Sequence, residues 1–163
     1  MKILLTLLLL SLGATALAQT TELQKVGEAH LKVLFWPVYD SRLFTADGSY
    51  QPGQSPLRLE IQYLRNIESK DLVERTAAEW QAQQLSHPKQ QQWLDTLSQI
   101  WPDVAENDVI TLELRENQHS HFYVNNTWVG SIEDPAFGQQ FLDIWLSPQT
   151  TRPAIRQQLL GQS

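Results

Sequence analysis

The fold is decided by residues 119–150, which read HSHFYVNNTWVGSIEDPAFGQQFLDIWLSPQT. Alternate residues of segment 119–124 fall on opposite sides of a strand, and residues 127–132 form a second strand-like segment. Asn125 and Asn126 separate the two segments. Because asparagine tolerates a positive φ at low cost, these residues predict a tight turn and hence a β-hairpin.

An amphipathic helix is predicted directly after this hairpin. Asp134 can cap the helix, and Pro135 suits its first turn, where an amide hydrogen has no helical partner. Ser147 and Pro148 end the helix, and a short helix over residues 153–160 closes the chain. The apolar stripe at helical spacing consists of Phe137, Phe141, Leu142 and Trp145. A hairpin covered by an apolar helix predicts a sheet with helices on one face.

The chain begins with the features of a secretory signal peptide. Lys2 precedes a run of apolar residues that ends in Ala16-Leu17-Ala18, a small-x-small cleavage site. We therefore expect a signal peptide at residues 1–18, a single domain at residues 19–163 and a periplasmic or secreted location. An uncleaved N-terminal anchor is the alternative interpretation of the same residues.

Composition excludes several classes of function. The chain has no cysteine, which rules out disulfides, thiol catalysis and cysteine-ligated metals. Its formal net charge is −6 and no stretch concentrates Lys and Arg, which argues against nucleic acid and anionic lipid surfaces as partners. No stretch after the signal is apolar enough to span a bilayer, so we expect no integral membrane span once the signal is removed.

Two histidines form an arrangement that suggests a transition metal. His119 and His121 fall on one face of the predicted strand, a geometry that can chelate zinc or copper. A third ligand is not evident nearby, so we interpret them as exposed histidines and predict no metal and no cofactor. The sequence also lacks a nucleophile elbow and a glycine-rich phosphate loop.

The remaining segments predict an α+β fold with a largely antiparallel sheet. Residues 26–44 are strand-like, and residues 31–36 are apolar on both faces except for Lys32, which is typical of a strand buried between layers. Pro37 marks a bulge or a break in that strand. Residues 57–64 alternate, with Leu57, Leu59, Ile61 and Tyr63 pointing inward.

Two helices are predicted after these strands, and another strand precedes the hairpin. Ser69 is the candidate cap of the first helix, and Pro102 follows the second. Residues 109–115 then alternate as a strand. Strand runs and helix runs that are segregated along the chain favour an α+β fold over alternating βαβ units.

Aromatic residues offer the clearest suggestion of a binding site. Six tryptophans can either fill the core or wall an apolar cavity between the sheet and the helices; they are Trp36, Trp80, Trp93, Trp101, Trp128 and Trp145. Arg42 and Arg65 follow apolar strands and are either ordinary surface charges or contacts for an anionic head group.

The chain resembles the bacterial chalcone isomerase-like family, exported relatives of plant chalcone isomerases and fatty-acid-binding proteins. The resemblance is carried by LKVLFWPVYDSRLF at residues 31–44, and by DPAF, IWLSP and PAIRQQLLG within residues 134–161. It implies an open-faced β-sandwich, in which helices pack on one face of a large antiparallel sheet and a ligand cleft lies between them.

The resemblance also allows a comparison with the plant enzymes' catalytic residues. If Val38 and Tyr39 match the plant Val-Tyr pair, the plant arginine falls near Glu22 and the plant threonine near Leu34. The plant catalytic tyrosine and asparagine fall within residues 68–76, which contain neither residue type. We therefore expect no chalcone isomerase activity, and we assign no catalytic residue.

The resulting prediction is a noncatalytic protein that binds a small apolar or amphipathic ligand, such as a fatty acid. Trp36, Val38 and Tyr63 are predicted to line the cleft, and Arg42 is predicted to replace the missing head-group arginine of the fatty-acid-binding relatives.

Two alternatives remain open. The first is an isomerase or lyase with different catalytic residues, for which Tyr39, Tyr63 and Tyr123 are the acid–base candidates because a phenol can polarise an enone carbonyl. The second is an envelope interaction protein that keeps the fold but fills the cleft.

Overall fold

The computed structural model describes residues 22–162, so the predicted signal peptide at residues 1–18 lies outside the described residues. Six strands form one antiparallel sheet in which each strand pairs with the next along the chain. The strands are β1 (Gln24–Val33), β2 (Trp36–Thr45), β3 (Leu57–Tyr63), β4 (Val109–Leu114), β5 (Ser120–Val124) and β6 (Thr127–Ile132). The helices are α1 (Ser69–Ala82), α2 (Gln90–Ile100), α3 (Pro135–Leu146) and α4 (Pro153–Leu159).

The segment that decides the fold forms the structure predicted for it. Asn125 and Asn126 have φ angles of 48° and 67° and join β5 to β6 in a two-residue turn. The Asp134 carboxylate accepts a hydrogen bond from the Ala136 amide at 3.1 Å and caps α3, with Pro135 in the first turn. The hairpin and its covering helix are therefore confirmed.

One face of the sheet is apolar and the other is charged. Paired residues of neighbouring strands share a face, so the inner face is a continuous apolar layer under the helices; it includes Leu43, Leu59, Leu112 and Phe122. The outer face carries Arg42, Glu60 and Thr111 side by side. An antiparallel sheet with helices on one face confirms the predicted open-faced α+β sandwich.

Residues 26–44 differ from the prediction of one strand buried at residues 31–36. They form the hairpin of β1 and β2, and the apolar residues Val33, Leu34, Phe35 and Trp36 lie exposed at its tip. An apolar run on both faces is typical of a buried strand, but it can equally occupy a turn that projects beyond the sheet. The predicted burial is therefore confirmed for Leu31 and was wrong for residues 33–36.

The N-terminus of α1 differs from the prediction. The N-terminal residue of α1 is Ser69, and the cap position belongs to Glu68, whose side chain makes no capping bond. The Ser69 amide instead donates to the Asp103 carboxylate at 2.8 Å, so the prediction of a Ser69 cap was wrong.

Within residues 22–162, none of the helices combines the length and apolar character needed to cross a bilayer.

Candidate functional site

A cavity of about 650 Å³ lies between the inner face of the sheet and the helices α1 and α3. Its floor is apolar and belongs to the central strands, with Leu59, Ile61, Ile110, Leu112 and Phe122. Its roof comes from Leu72 and Thr76 of α1 and from Phe141, Ile144 and Trp145 of α3. Small-molecule sites in proteins typically enclose about 300–1,000 Å³, so the cleft is open and large enough to hold a ligand.

A β-bulge shapes the wall of the cavity on β2. Leu31 pairs with Tyr39 and Lys32 pairs with Pro37, which leaves Val38 without a direct partner on β1. The extra residue interrupts the strict alternation of side chains. As a result, the neighbouring residues Val38 and Tyr39 both border the cavity. The break predicted at Pro37 is this bulge.

Two tyrosines bring polar atoms to the otherwise apolar wall. The rings of Tyr39 and Tyr63 meet edge to face, with their centroids 6.2 Å apart. The Tyr39 hydroxyl accepts a hydrogen bond from the indole Nε1 of Trp145 at 3.0 Å. No residue of the described chain hydrogen-bonds the Tyr63 hydroxyl. The wall therefore carries one phenol, Tyr39, that is held by a hydrogen bond, and a second phenol, Tyr63, whose hydroxyl makes no hydrogen bond within the described residues.

Burial controls how both phenols titrate. It raises the pKa of Tyr63 above the usual phenol value, and the neighbouring Tyr39 raises it further. Burial also raises the pKa of Tyr39, while the Trp145 hydrogen bond and the Arg152 charge act in the opposite direction. Both hydroxyls are therefore protonated at neutral pH and can donate a hydrogen bond to a ligand oxygen.

Charged side chains surround the opening of the cavity. They come from the segment after β3, from α1 and from the start of α4, and they are Arg65, Asp71, Glu74, Arg75, Glu79 and Arg152. Glu79 is held by the Thr151 hydroxyl, which donates to Oε2 at 2.6 Å, and lies 3.9 Å from Arg75 Nη1. An apolar interior with a charged rim fits an amphipathic molecule better than a wholly apolar one.

Arg152 is one of the cations at the rim of the cavity that Tyr39 also borders. It immediately precedes α4, and its positive charge acts to lower the pKa of Tyr39, against the effect of burial. Within residues 22–162, no carboxylate lies within 4 Å of the guanidinium groups of Arg152 and Arg65. Arg152 can therefore bind an anionic group at the edge of the cavity without first breaking an ion pair.

The four residues predicted to bind ligand do not lie together. Val38 and Tyr63 border the cavity, whereas Trp36 lies at the exposed tip of the β1–β2 hairpin and is not part of the cavity wall. Arg42 lies on the outer face, opposite Glu60, and its Nε is 3.3 Å from a Glu60 carboxylate oxygen. Strand alternation explains this placement, because Arg42 is one residue out of phase with the inward-facing Ser41 and Leu43.

The other chemical candidates lie away from the cavity. Tyr123 is on the outer face, where its hydroxyl accepts a hydrogen bond from Arg115 Nη2 at 2.7 Å. His121 is also on that face, paired in register with Glu113. In the part of the chain that the structure describes, no three histidine, aspartate or glutamate side chains are grouped closely enough to hold a metal ion.

Arg75 and Arg152 are site residues that the sequence did not identify, whereas Trp145 was one of six tryptophans that could either fill the core or wall a cavity. The helical stripe containing Trp145 predicted that it faces the sheet, which was the available signal. Arg152 carries no local signal, because its place at the cavity depends on how α4 packs against β1 and β2.

An antiparallel sheet with helices on one face and an apolar, charge-rimmed cavity between them defines an open-faced sandwich. The chain belongs to the chalcone isomerase-like family, whose sequence profile matches residues 12–161. This confirms the family resemblance seen in the sequence.

Two proteins illustrate the relationship. An uncharacterized protein of Haemophilus influenzae is 30% identical over 140 residues, which cover 86% of this chain and 69% of the relative. A fatty-acid binding protein of Arabidopsis thaliana superposes with a TM-score of 0.65, over 85% of this chain and 86% of the plant chain. The plant protein is only 10% identical, so this similarity shows a shared fold.

Proposed function

We propose that this protein is exported to the periplasm or secreted, and that it holds a fatty-acid-like molecule in its cavity without transforming it. The observation that carries the proposal is the apolar cavity of about 650 Å³ with Arg152 at its edge, an arginine that forms no ion pair within residues 22–162. The fold it shares with a plant fatty-acid binding protein supports the same ligand class by analogy.

The acyl chain of the ligand occupies the apolar interior in this proposal. Leu59, Ile61 and Leu112 on the floor, and Phe141 and Ile144 on the roof, remove its methylene groups from water. Each buried methylene contributes about 0.8 kcal/mol. Affinity should therefore rise with chain length until the cavity is full.

The head group of the ligand lies at the rim, where Arg152 supplies the positive charge. An arginine–carboxylate hydrogen bond is charge-assisted and stronger than a neutral one. The protonated Tyr39 hydroxyl borders the same cavity and has a proton to donate. Arg152 thereby takes the role that the sequence suggested for Arg42, which is paired with Glu60 on the other face.

The tyrosine pair keeps an isomerase as the second candidate function. Tyr39 and Tyr63 both border the cavity and can donate hydrogen bonds to an enone carbonyl. Their raised pKa values, however, favour the protonated phenol and make each a poor general base near neutral pH. This chemistry suits binding of a carboxylate or carbonyl oxygen better than proton abstraction.

Calorimetric titration with saturated fatty acids of increasing length tests the proposal. The account predicts that affinity increases stepwise with chain length and then levels off, and that matched fatty alcohols bind more weakly because Arg152 loses its anionic partner. Equal affinity for acids and alcohols would show that Arg152 does not bind the head group. Absence of binding at every length would refute fatty-acid binding, and conversion of a chalcone-like enone would favour the isomerase.

A further inference from the structure

The tip of the β1–β2 hairpin is an exposed apolar surface that neither the fold nor the cavity requires. Its four consecutive side chains, Val33, Leu34, Phe35 and Trp36, are 45%, 85%, 94% and 71% exposed. Within the described residues the one other large apolar side chain exposed to this degree is Trp128, at 56%. Exposed apolar clusters in soluble domains mark contact surfaces.

The backbone conformation of the turn does not favour the residue found there. Leu34 has a φ of 57°, a left-handed conformation in which glycine or asparagine is usual. The β5–β6 hairpin of the same sheet uses Asn125 and Asn126 at the equivalent place. Leu34 is therefore unfavourable for the turn, and both Leu34 and Phe35 are unfavourable for solubility. A contact with a partner would offset that cost.

We propose that this tip inserts into the interfacial layer of a lipid bilayer and docks the protein there. The tip is convex, being a two-residue turn at the end of a hairpin, and its Leu34 and Phe35 side chains are almost wholly exposed. Such a tip suits a fluid partner that closes around it better than a rigid partner that must offer a matching groove.

The composition of the hairpin tip matches a bilayer interface. Trp36 belongs to the residue type enriched at the boundary between lipid and water. Segment 31–39 contains no acidic residue, and its one charge is on Lys32, which can extend its ammonium group back to the head groups. Since the whole chain has a net charge of −6, binding would depend on apolar insertion rather than on attraction to anionic lipid.

The hairpin tip is continuous with the cavity. Val33 belongs to the exposed tip and also borders the cavity. In the β1–β2 register Val33 pairs with Trp36, so the two side chains lie on the same face of the hairpin. A docked protein would therefore hold the part of the cavity wall formed by Val33 at the membrane surface, where an amphipathic molecule could enter from the lipid.

Flotation of the protein with phosphatidylcholine vesicles tests this inference independently of ligand binding. The tip variant is Leu34→Gly/Phe35→Asn, which replaces the two most exposed apolar side chains of the tip by residues that suit the turn. The matched control is Trp128→Gln, which removes an exposed tryptophan outside the tip. We expect the wild type and Trp128→Gln to float with the vesicles. The vesicle partition coefficient of the tip variant should be lower than that of the wild type by about tenfold or more, because two large side chains no longer become buried in the bilayer.

Tryptophan fluorescence gives a second readout on the same samples. Vesicles should shift the emission to shorter wavelength in the wild type and in Trp128→Gln, and the shift should disappear in Trp36→Phe. Failure of the wild type to float, or equal flotation of the tip variant, would overturn the inference. Self-association that the tip variant abolishes, without vesicle binding, would instead identify a second copy of the chain as the partner.

Discussion

The indole Nε1 of Trp145 on α3 donates a hydrogen bond to the hydroxyl of Tyr39 on β2, at 3.0 Å and across 106 residues of sequence. This bond connects the roof of the cavity to its wall. Because the Tyr39 oxygen acts as the acceptor, its own proton remains available for a ligand. The bond thus links the packing of α3 to the polar chemistry of the site.

Replacing Trp145 by phenylalanine should destabilise the protein by about 1 kcal/mol, because Tyr39 loses its partner at a half-buried position. Urea unfolding measures the change. Trp128→Phe is the control, since Trp128 is exposed on β6. Equal unfolding midpoints for the two variants would mean that the Trp145–Tyr39 bond contributes nothing to stability.

Replacing Arg152 by glutamine should weaken binding of a fatty acid by about tenfold or more, the loss expected for a hydrogen bond to a charged group. Binding of the matched alcohol should barely change, which separates loss of a head-group contact from damage to the cavity. Arg42→Gln is the matched control on the outer face. If Arg42→Gln is the variant that loses affinity, the assignment of the head-group cation is wrong.

A larger side chain at the bulge should close the cavity. Val38 borders it and is only partly buried, so Val38→Trp can fill space without overpacking the core. We expect acyl-chain affinity to fall by about tenfold or more while the thermal midpoint changes by only a few degrees. Thr127→Trp, at the exposed start of β6, is the control. Unchanged affinity in Val38→Trp would place the ligand elsewhere.

The pH dependence of stability should report the buried phenols. Burial raises the pKa of Tyr63, so the folded protein retains a proton that the unfolded chain loses above about pH 10. The stability contributed by the neutral phenol is complete below that pH and decreases as the pH rises towards the folded-state pKa. Unfolding midpoints should therefore decline from about pH 10 upward, with Tyr39 contributing in the same direction.

Tyr63→Phe removes one of these protons and should make that alkaline decline shallower. Tyr123→Phe, on the outer face, is the control and should leave the decline as in the wild type. If the unfolding midpoint of Tyr63→Phe declined with pH as steeply as that of the wild type, the burial of Tyr63 would not contribute to the alkaline loss of stability.

The elements that local patterns determine were predictable from the sequence. The turn at Asn125 and Asn126, the cap at Asp134 and the inward face of β3 all follow from short-range rules, and the structure has each of them. Together with the family resemblance, they led to the correct fold. Long, strongly periodic segments carry this kind of information most clearly.

The candidate site was harder to predict because it depends on register and long-range packing. The apolar residues 33–36 have the same pattern whether they form a buried strand or an exposed tip, so periodicity alone misplaced Trp36. Arg42 was expected to follow an apolar strand, but it lies within β2, where strand alternation turns it to the outer face. Arg152 reaches the rim only through the packing of α4, which no local pattern reports.

The most direct test of the central claim is native mass spectrometry of the protein purified from the cells that produce it. The account predicts a reproducible added mass that is lost on denaturation, is identified as a fatty acid or similar lipid, and is reduced in Val38→Trp. Protein that appears only at its bare mass, and that still acquires no adduct when fatty acids are supplied, would contradict the claim that this cavity is a ligand site.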